Sequence, residues 1–332
     1  MHILVSSHQH GHNIPGKRLT ASKIVNDDGP PSKKLSPYIR PLVDALKDAG
    51  HRVSVVIPAA SRSWIGKAHI IGASLTATYV HPDSFREDGT WVDESEKEQN
   101  TATPTTTTNG YMPPTPAASS EHLNVSTPSI DENESKNEED YWVVISNGTP
   151  ASCAQLGLYS LFPSRGTIDL VISGPNHGRN ASTIYNLSSG TVGGALEAAT
   201  CGKRGIALSF GSKDEQPPAT IAAAARLSTR VIEYLCRNWD ERVELYNLNV
   251  PMREDVETRP VRYTRALRNE WTKASLYAEV VQSNEKVEIH QKGKSNRIRQ
   301  FRWEAELSDI KRSLAESPQG TDARTVLDGF TR

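Results

Sequence analysis

Short runs rich in Val and Ile recur along the chain with helical stretches between them. HRVSVVIP lies at 51–58, YWVVIS at 141–146, IDLVIS at 168–173, GIALSF at 205–210 and LYNLNV at 245–250. Runs of this length and composition suit strands buried on both faces. Helical segments are predicted at about 151–162, 191–201 and 219–238, and one more precedes the first run. There Ser36-Pro37 reads as N-cap and first helical residue. Ile39, Leu42, Val43 and Leu46 repeat at helical spacing, and Gly50 closes the element. This alternation implies an α/β fold, an open and mostly parallel sheet with helices on both faces. Ligands in such sheets collect at the carboxyl ends of the strands, so the residues just after each strand are where chemistry is sought.

After Ile24-Val25 comes Asn26-Asp27-Asp28-Gly29. Adjacent carboxylates at a strand end raise each other's pKa unless a cation or a donor compensates them. A hard divalent ion that prefers oxygen ligands, Mg²⁺ or Mn²⁺, resolves that cost; taken alone, the same four residues also make an ordinary solvated turn. The loop after VVIP supplies Ser63 between the cations Arg62 and Lys67, and the loop GPNHGRN after LVIS supplies Asn176, His177 and Asn180. His177 reads either as a proton-transfer group or as a hydrogen-bonding loop residue. Ser188-Ser189-Gly190-Thr191 leads straight into VGGALEAAT, and a turn of this kind at a helix N-terminus offers amide N–H groups and a favourable dipole to an anion. Each loop is unremarkable singly. Together in one sheet they point to a metal-dependent phosphate site.

In this order NDDG, RS after the second strand, SGPNHGRN and SSGTVGGALEA, with NGTPASC at 147–153 and LNVP at 248–251, resemble the survival protein SurE family of metal-dependent nucleotidases and acid phosphatases. The similarity covers most of 24–82 and 141–255. It implies a Rossmann-like three-layer αβα core with a C-terminal extension that joins subunits, as a homodimer or homotetramer. It further implies that Asp27, Asp28, Ser63 and Asn176 bind the metal. Asn180, Ser189, Gly190 and Thr191, with Asn26, are assigned to substrate phosphate, and Asp27, Asp28 and Asn180 to catalysis. The implied reaction is hydrolysis of nucleoside monophosphates and other phosphomonoesters. Three positions depart from the family pattern: Trp64 stands where a glycine commonly follows the metal-binding serine, Ser152 replaces the acidic residue of GTPxDC, and the chain stops at DGFTR where relatives continue into a further strand. The resemblance therefore reads 256–332 as a truncated extension and 1–255 as the main domain.

Two segments stand outside this pattern. From about Phe85 to Asp140 threonine, proline and acidic residues dominate, with too few apolar side chains to offset chain entropy, and a disordered surface loop is expected. Residues 5–23, VSSHQHGHNIPGKRLTASK, interrupt the first strand. Without them the chain begins MHILIVNDDG, one apolar strand delivering the two aspartates. The codons available to Val5-Ser6, Leu19-Thr20 and Lys23 permit a 5′ splice signal, a branch point and a terminal AG, and the length keeps the reading frame. The segment is read as a translated fungal-type intron. His8, His10 and His12 would share one side of a strand, but Gly11 and the lack of apolar partners argue against a deliberate metal site. If the strand re-registers immediately upstream of Ile24, Ser22 and Lys23 take the core positions of Ile3 and Leu4, which predicts a buried lysine. If MHIL keeps its place, the insert loops out and displaces Asp27 and Asp28; either way a poorly folded or weakly active chain is expected.

The formal net charge of −1 among 332 residues supplies no field for a stable nucleic-acid complex or for a membrane surface. The three widely spaced cysteines form neither a disulfide framework nor a CxxC metal site, and a cytoplasmic protein is expected. The rival readings are a catalytically impaired nucleotide-binding or regulatory protein of the same fold, and a nucleotide-cofactor enzyme. The second lacks a GxGxxG after the first strand.

Overall fold

The computed structural model describes residues 2–3, 21–92, 141–166, 168, 170–272, 276–280 and 299–332. The strands are β1 (His2–Ile3), β2 (Ala21–Val25), β3 (Arg52–Pro58), β4 (Thr76–Val80), β5 (Trp142–Ser146), β6 (Leu170–His177), β7 (Arg204–Phe210), β8 (Leu245–Val250), β9 (Tyr277–Glu279) and β10 (Phe301–Trp303). The helices are α1 (Ile39–Asp48), α2 (Pro150–Tyr159), α3 (Thr183–Ser188), α4 (Gly190–Thr200), α5 (Pro218–Arg237), α6 (Ser308–Ala315) and α7 (Asp322–Leu327).

Side chains alternate across the pleat and so divide the core into two halves. Ile24 of β2 joins Val55 and Ile57 of β3 and Ile172 of β6 in a cluster with Leu42 and Leu46 of α1 and Ala224 and Leu227 of α5. Their strand neighbours Val25, Val56, Val143, Ile145 and Val171 face Cys153 and Ala154 of α2 and Ala198 of α4. Helices therefore cover both faces, in the three-layer αβα arrangement expected.

The large sheet has the order β4-β5-β3-β2-β1-β6-β7-β8, with β2 also paired directly to β6. Its pairings are parallel except at the short β1 and the edge strand β4, which are antiparallel. The chain moves outward from β2 through β3 and β5, and outward again from β6 through β7 and β8. The direction of winding thus changes between β2 and β6, and a crevice at their carboxyl ends follows. Val25 pairs with Ser173, so NDDG and GPNHGRN leave the sheet side by side.

Several local expectations are corrected. Helix α1 begins at Ile39 behind Tyr38, with no side-chain cap, and the Ser36 hydroxyl accepts a hydrogen bond from Asn26 Nδ2 at 3.0 Å. Ser152 closes a capping box at the start of α2: its hydroxyl accepts from the Thr149 N–H at 2.7 Å and its own N–H donates to Thr149 Oγ1 at 3.1 Å. The loop expected from residue 85 starts with ordered chain, since Phe85 and Trp91 bridge and the Phe85 ring lies 5.8 Å from that of Trp142; residues 93–140 lie outside the described residues. Near Val261 the chain makes a single bridge, to Thr331. Residues 256–332 also fold back on the main body: Leu267, Ile310, Leu314 and Ala323 pack with Ala181 and Ile184.

Residues 5–20, with the three histidines, lie outside the described residues. Ala21, Ser22 and Lys23 form the first three positions of β2. Lys23 pairs with Val171 and is completely buried. Its Nζ is 5.1 Å from the centre of the Phe162 ring and has no hydrogen-bond partner. Room for it exists only because α2 carries Gly157, where a Cβ would fall 0.9 Å from Nζ. Burial holds the amine well below the ordinary lysine range, against an opposing contribution from Cys153.

Candidate active site

The strand-end aspartates are held by different neighbours. Asp28 Oδ2 accepts the backbone N–H of His177 at 2.7 Å, which joins the ends of β2 and β6. Asp27 Oδ1 accepts the Thr191 hydroxyl from the first turn of α4. That helix approaches closely because residue 190 is glycine: a Cβ there would lie 2.8 Å from Asp27 Cβ. Ser189 caps the helix, its Oγ accepting the Val192 N–H at 3.1 Å.

A cavity of about 80 Å³ opens between these elements, lined by Asp27, Ser63, Asn176, Asn180 and Ser189. Ser63 Oγ is 3.2 Å from Ser61 Oγ. Asn176 donates through Nδ2 to the Gly178 carbonyl at 2.5 Å, leaving its amide oxygen as an acceptor. Asn180 is fixed on three sides: its N–H donates to Asn249 Oδ1 at 2.8 Å, its Nδ2 to Ser209 Oγ at 3.0 Å, and its carbonyl accepts from Asn249 Nδ2 at 3.0 Å.

Three of the assigned residues do not line the small cavity. Asn26 does not face the cavity. Its amide accepts from the Gly29 N–H at 3.2 Å and donates to the Gly29 carbonyl at 2.9 Å and to Ser36, so it closes the NDDG turn, as a fully buried amide must find partners for all its polar atoms. Thr191 turns its hydroxyl to Asp27 and contributes no lining. Asp28 borders a neighbouring cleft with Ser61 and Trp91 instead of the small cavity.

Residues to which the sequence assigned no binding or catalytic role also reach the site. Lys213 and Arg179 line the cavity with Trp64 and Tyr185. Lys213 follows β7 directly, so the strand-end rule applied to GIALSF would have found it. Asn249 sits in LNVP, noted as a landmark without a role. Nothing in the local sequence marks Asp322, which accepts the Ser182 N–H at 2.8 Å and steadies the loop that follows Asn180.

Burial raises the pKa of both aspartates. For Asp28, pushed well above the usual range, the neighbouring Asp27 charge adds to the effect; for Asp27 the Thr191 hydrogen bonds oppose it, and Lys213 pulls both down. The His177 ring is lowered by burial first and by Lys213 second. Asp27, Ser63 and Asn176 line one cavity, and Asp28 borders the adjoining cleft, so the oxygen donors near the strand ends are of the kind a hard divalent cation takes. Among the described residues no group of three His, Cys, Asp or Glu side chains is placed to hold a metal ion.

An αβα domain with paired carboxylates and a helix N-terminus at its switch point has the plan of the open-sheet α/β proteins, whose ligand crevice lies outside the strand ends. The family model "Survival protein SurE" matches residues 23–273, and the chain belongs to the SurE family. A Saccharomyces cerevisiae protein named "Probable tubulin--tyrosine ligase PBY1" is 34% identical over 92% of this chain, which spans 38% of that relative. The "5'-nucleotidase SurE" of Nitratidesulfovibrio vulgaris is 28% identical over 75% of this chain and 74% of its own length. The crystal structure of a SurE protein from Aquifex aeolicus shares the fold, with a TM-score of 0.56 and 22% identity over 94% of this chain and 90% of that one. Among the described residues no helix is long and apolar enough to cross a membrane.

Proposed function

We propose that the chain is a metal-dependent phosphomonoester hydrolase acting on nucleoside monophosphates and related phosphomonoesters. The observation that carries this reading is the buried Asp27 carboxylate, held by the first turn of α4 in one cavity with Asn176, Asn180 and Ser189. Asp27, Asp28, Ser63 and Asn176 would hold the divalent ion, which supplies charge neutralisation and polarisation of the phosphoryl oxygens. The chain's own groups do the rest. The remaining amide hydrogen of Asn180 and the N-terminus of α4 donate to phosphoryl oxygens as charge develops there. Lys213 and Arg179 at the cavity lining attract the dianion. Asp28, bonded to the His177 N–H, keeps the loop of Asn176 and Asn180 in place.

The ligase activity in the name of the yeast relative belongs to a protein of which this chain spans 38%. Two features of the chain support hydrolysis instead: the N. vulgaris nucleotidase aligns over three quarters of both chains, and the anion cradle and carboxylates lie within the matched region. The test is phosphate release from nucleoside monophosphates and p-nitrophenyl phosphate, with Mg²⁺, Mn²⁺ or EDTA. Release with a metal and its loss in EDTA are expected. A folded chain that binds nucleoside monophosphates without turnover under any of these conditions overturns the reading in favour of a binding protein.

A further inference from the structure

Trp64 follows Ser63 in the loop after β3 and adopts φ 66°, the left-handed region that side-chain-bearing residues avoid. A glycine would hold this turn without strain. Strain retained beside a cleft points from the backbone outlier toward a use for the side chain. The indole is half-buried, and its ring centre lies 5.7 Å from Tyr185, 6.3 Å from Trp271 and 5.7 Å from Trp303. Trp64 and Tyr185 line the same cavity as Asp27 and Ser189.

The size of that cavity sets what these rings can meet. About 80 Å³ is far below the roughly 300–1,000 Å³ of pockets that enclose a whole drug-sized ligand. A cavity of that size takes the phosphoryl end of an ester and leaves the remainder outside it, beside the aromatic rings of the lining. Half-exposed rings beside an anion cradle make a surface for a planar group, because every nucleobase has a face that stacks whatever its hydrogen-bonding pattern. Trp303, half-exposed on β10, extends this surface from the C-terminal region.

We propose that Trp64, backed by Tyr185 and Trp303, is the specificity-determining residue of the site, stacking on the base of a nucleoside monophosphate whose phosphate enters the Asp27 cavity. The assignment rests on the hydrolase reading above and deepens it: the cradle accepts a phosphate monoester, and the aromatic mouth selects esters that carry a base.

The experiment compares AMP with ribose 5-phosphate, which presents the same phosphate and sugar without the base. KM and kcat are measured for the full chain, for Trp64→Gly and for Trp64→Phe. Glycine suits the backbone at this position, so the first variant removes the ring without adding strain. The ratio of the KM for AMP to that for ribose 5-phosphate is expected to rise roughly ten-fold or more in Trp64→Gly, within the range stacking on an aromatic ring carries, and to return towards the starting value in Trp64→Phe. A purely structural role for Trp64 would move both substrates alike, and an unchanged ratio overturns the proposal. If the unaltered chain releases no phosphate, the hydrolase reading fails by itself. Equilibrium dialysis of AMP and ribose 5-phosphate then decides this proposal separately: a preference for AMP that Trp64→Gly abolishes supports it, and equal affinities overturn it.

Discussion

Asp322 and Arg332 form an ion pair with 3.4 Å between their charged atoms, and their side chains are 0% and 6% exposed. Asp322 also accepts the N–H groups of Ser182 and Leu267 at 2.8 Å each, and Arg332 donates to the carbonyl of Asn180. Arg332 further exchanges backbone hydrogen bonds with Asn249, at 3.0 and 3.2 Å. The C-terminal segment is thereby part of what holds the loop of Asn180. Removing one partner of a buried pair leaves the other charge and several amides uncompensated. Asp322→Ala is expected to cost about 3–5 kcal/mol in urea unfolding, with a parallel loss of activity through the displaced Asn180.

Asp27 and Thr191 give a finer test of the site. Thr191→Val keeps the shape of the side chain and deletes the hydroxyl that donates to the buried Asp27 carboxylate. The lost bond to a charged group is worth roughly 1.5–3 kcal/mol, so a fall of about ten- to a hundred-fold in kcat/KM is expected in a phosphate-release assay. Asp27→Asn should cost at least as much and should also weaken Mn²⁺ binding in calorimetry, a readout independent of turnover.

Glu197 of α4 ties the segment that carries Ser63 to the helix that carries Ser189. Its buried carboxylate meets Lys67 Nζ at 2.8 Å, His69 Nε2 at 3.2 Å and Gln155 Nε2 at 2.7 Å. Burial pushes its pKa up, but the hydrogen bonds from Lys67, Gln155 and His69 outweigh burial and leave it lowered. A carboxylate lowered on folding contributes stability that is present above its unfolded value of about 4.3 and is lost as pH falls through the folded value. Lys67→Met should therefore flatten the acid limb of the stability curve below about pH 4.5, as measured by thermal unfolding across pH.

Much of this arrangement is local and so was legible before the fold was seen. β3, β5, β6, β7 and β8 lie within a few residues of their apolar runs, and the polar strand-end loops converge because parallel strands share one carboxyl end. β4 went unread since TATYV is mostly exposed at the sheet edge and carries no apolar pattern. The hydrogen bonds of Asn26 were not legible because an NDDG turn and an NDDG ligand loop have the same sequence, and its partner Ser36 lies ten residues on. Asp322 and Arg332 act on Asn180 from more than 140 residues away, a contact no window of sequence displays.

Lys23 brings the sequence and the fold into open conflict. Burial penalises its charged form, so the folded chain binds fewer protons than the unfolded chain between the depressed folded pKa and the ordinary lysine value of about 10.4. With more protons bound in the unfolded state, stability rises as pH rises through that window, and the penalty stands in full below it. Lys23→Leu is expected to remove this slope and to add about 1.5–3 kcal/mol from apolar burial alone, provided that the branched side chain fits the space beside Gly157. Deleting residues 5–23 makes the sharper comparison, because Leu4 then joins Ile24 directly and β2 reads ILIV before NDDG. The deleted chain should melt higher than the full chain near neutral pH, with the difference shrinking at alkaline pH as the amine loses its charge. Equal melting temperatures for the two chains at neutral pH would mean that Lys23 is tolerated in the core and that residues 5–23 cost the fold nothing.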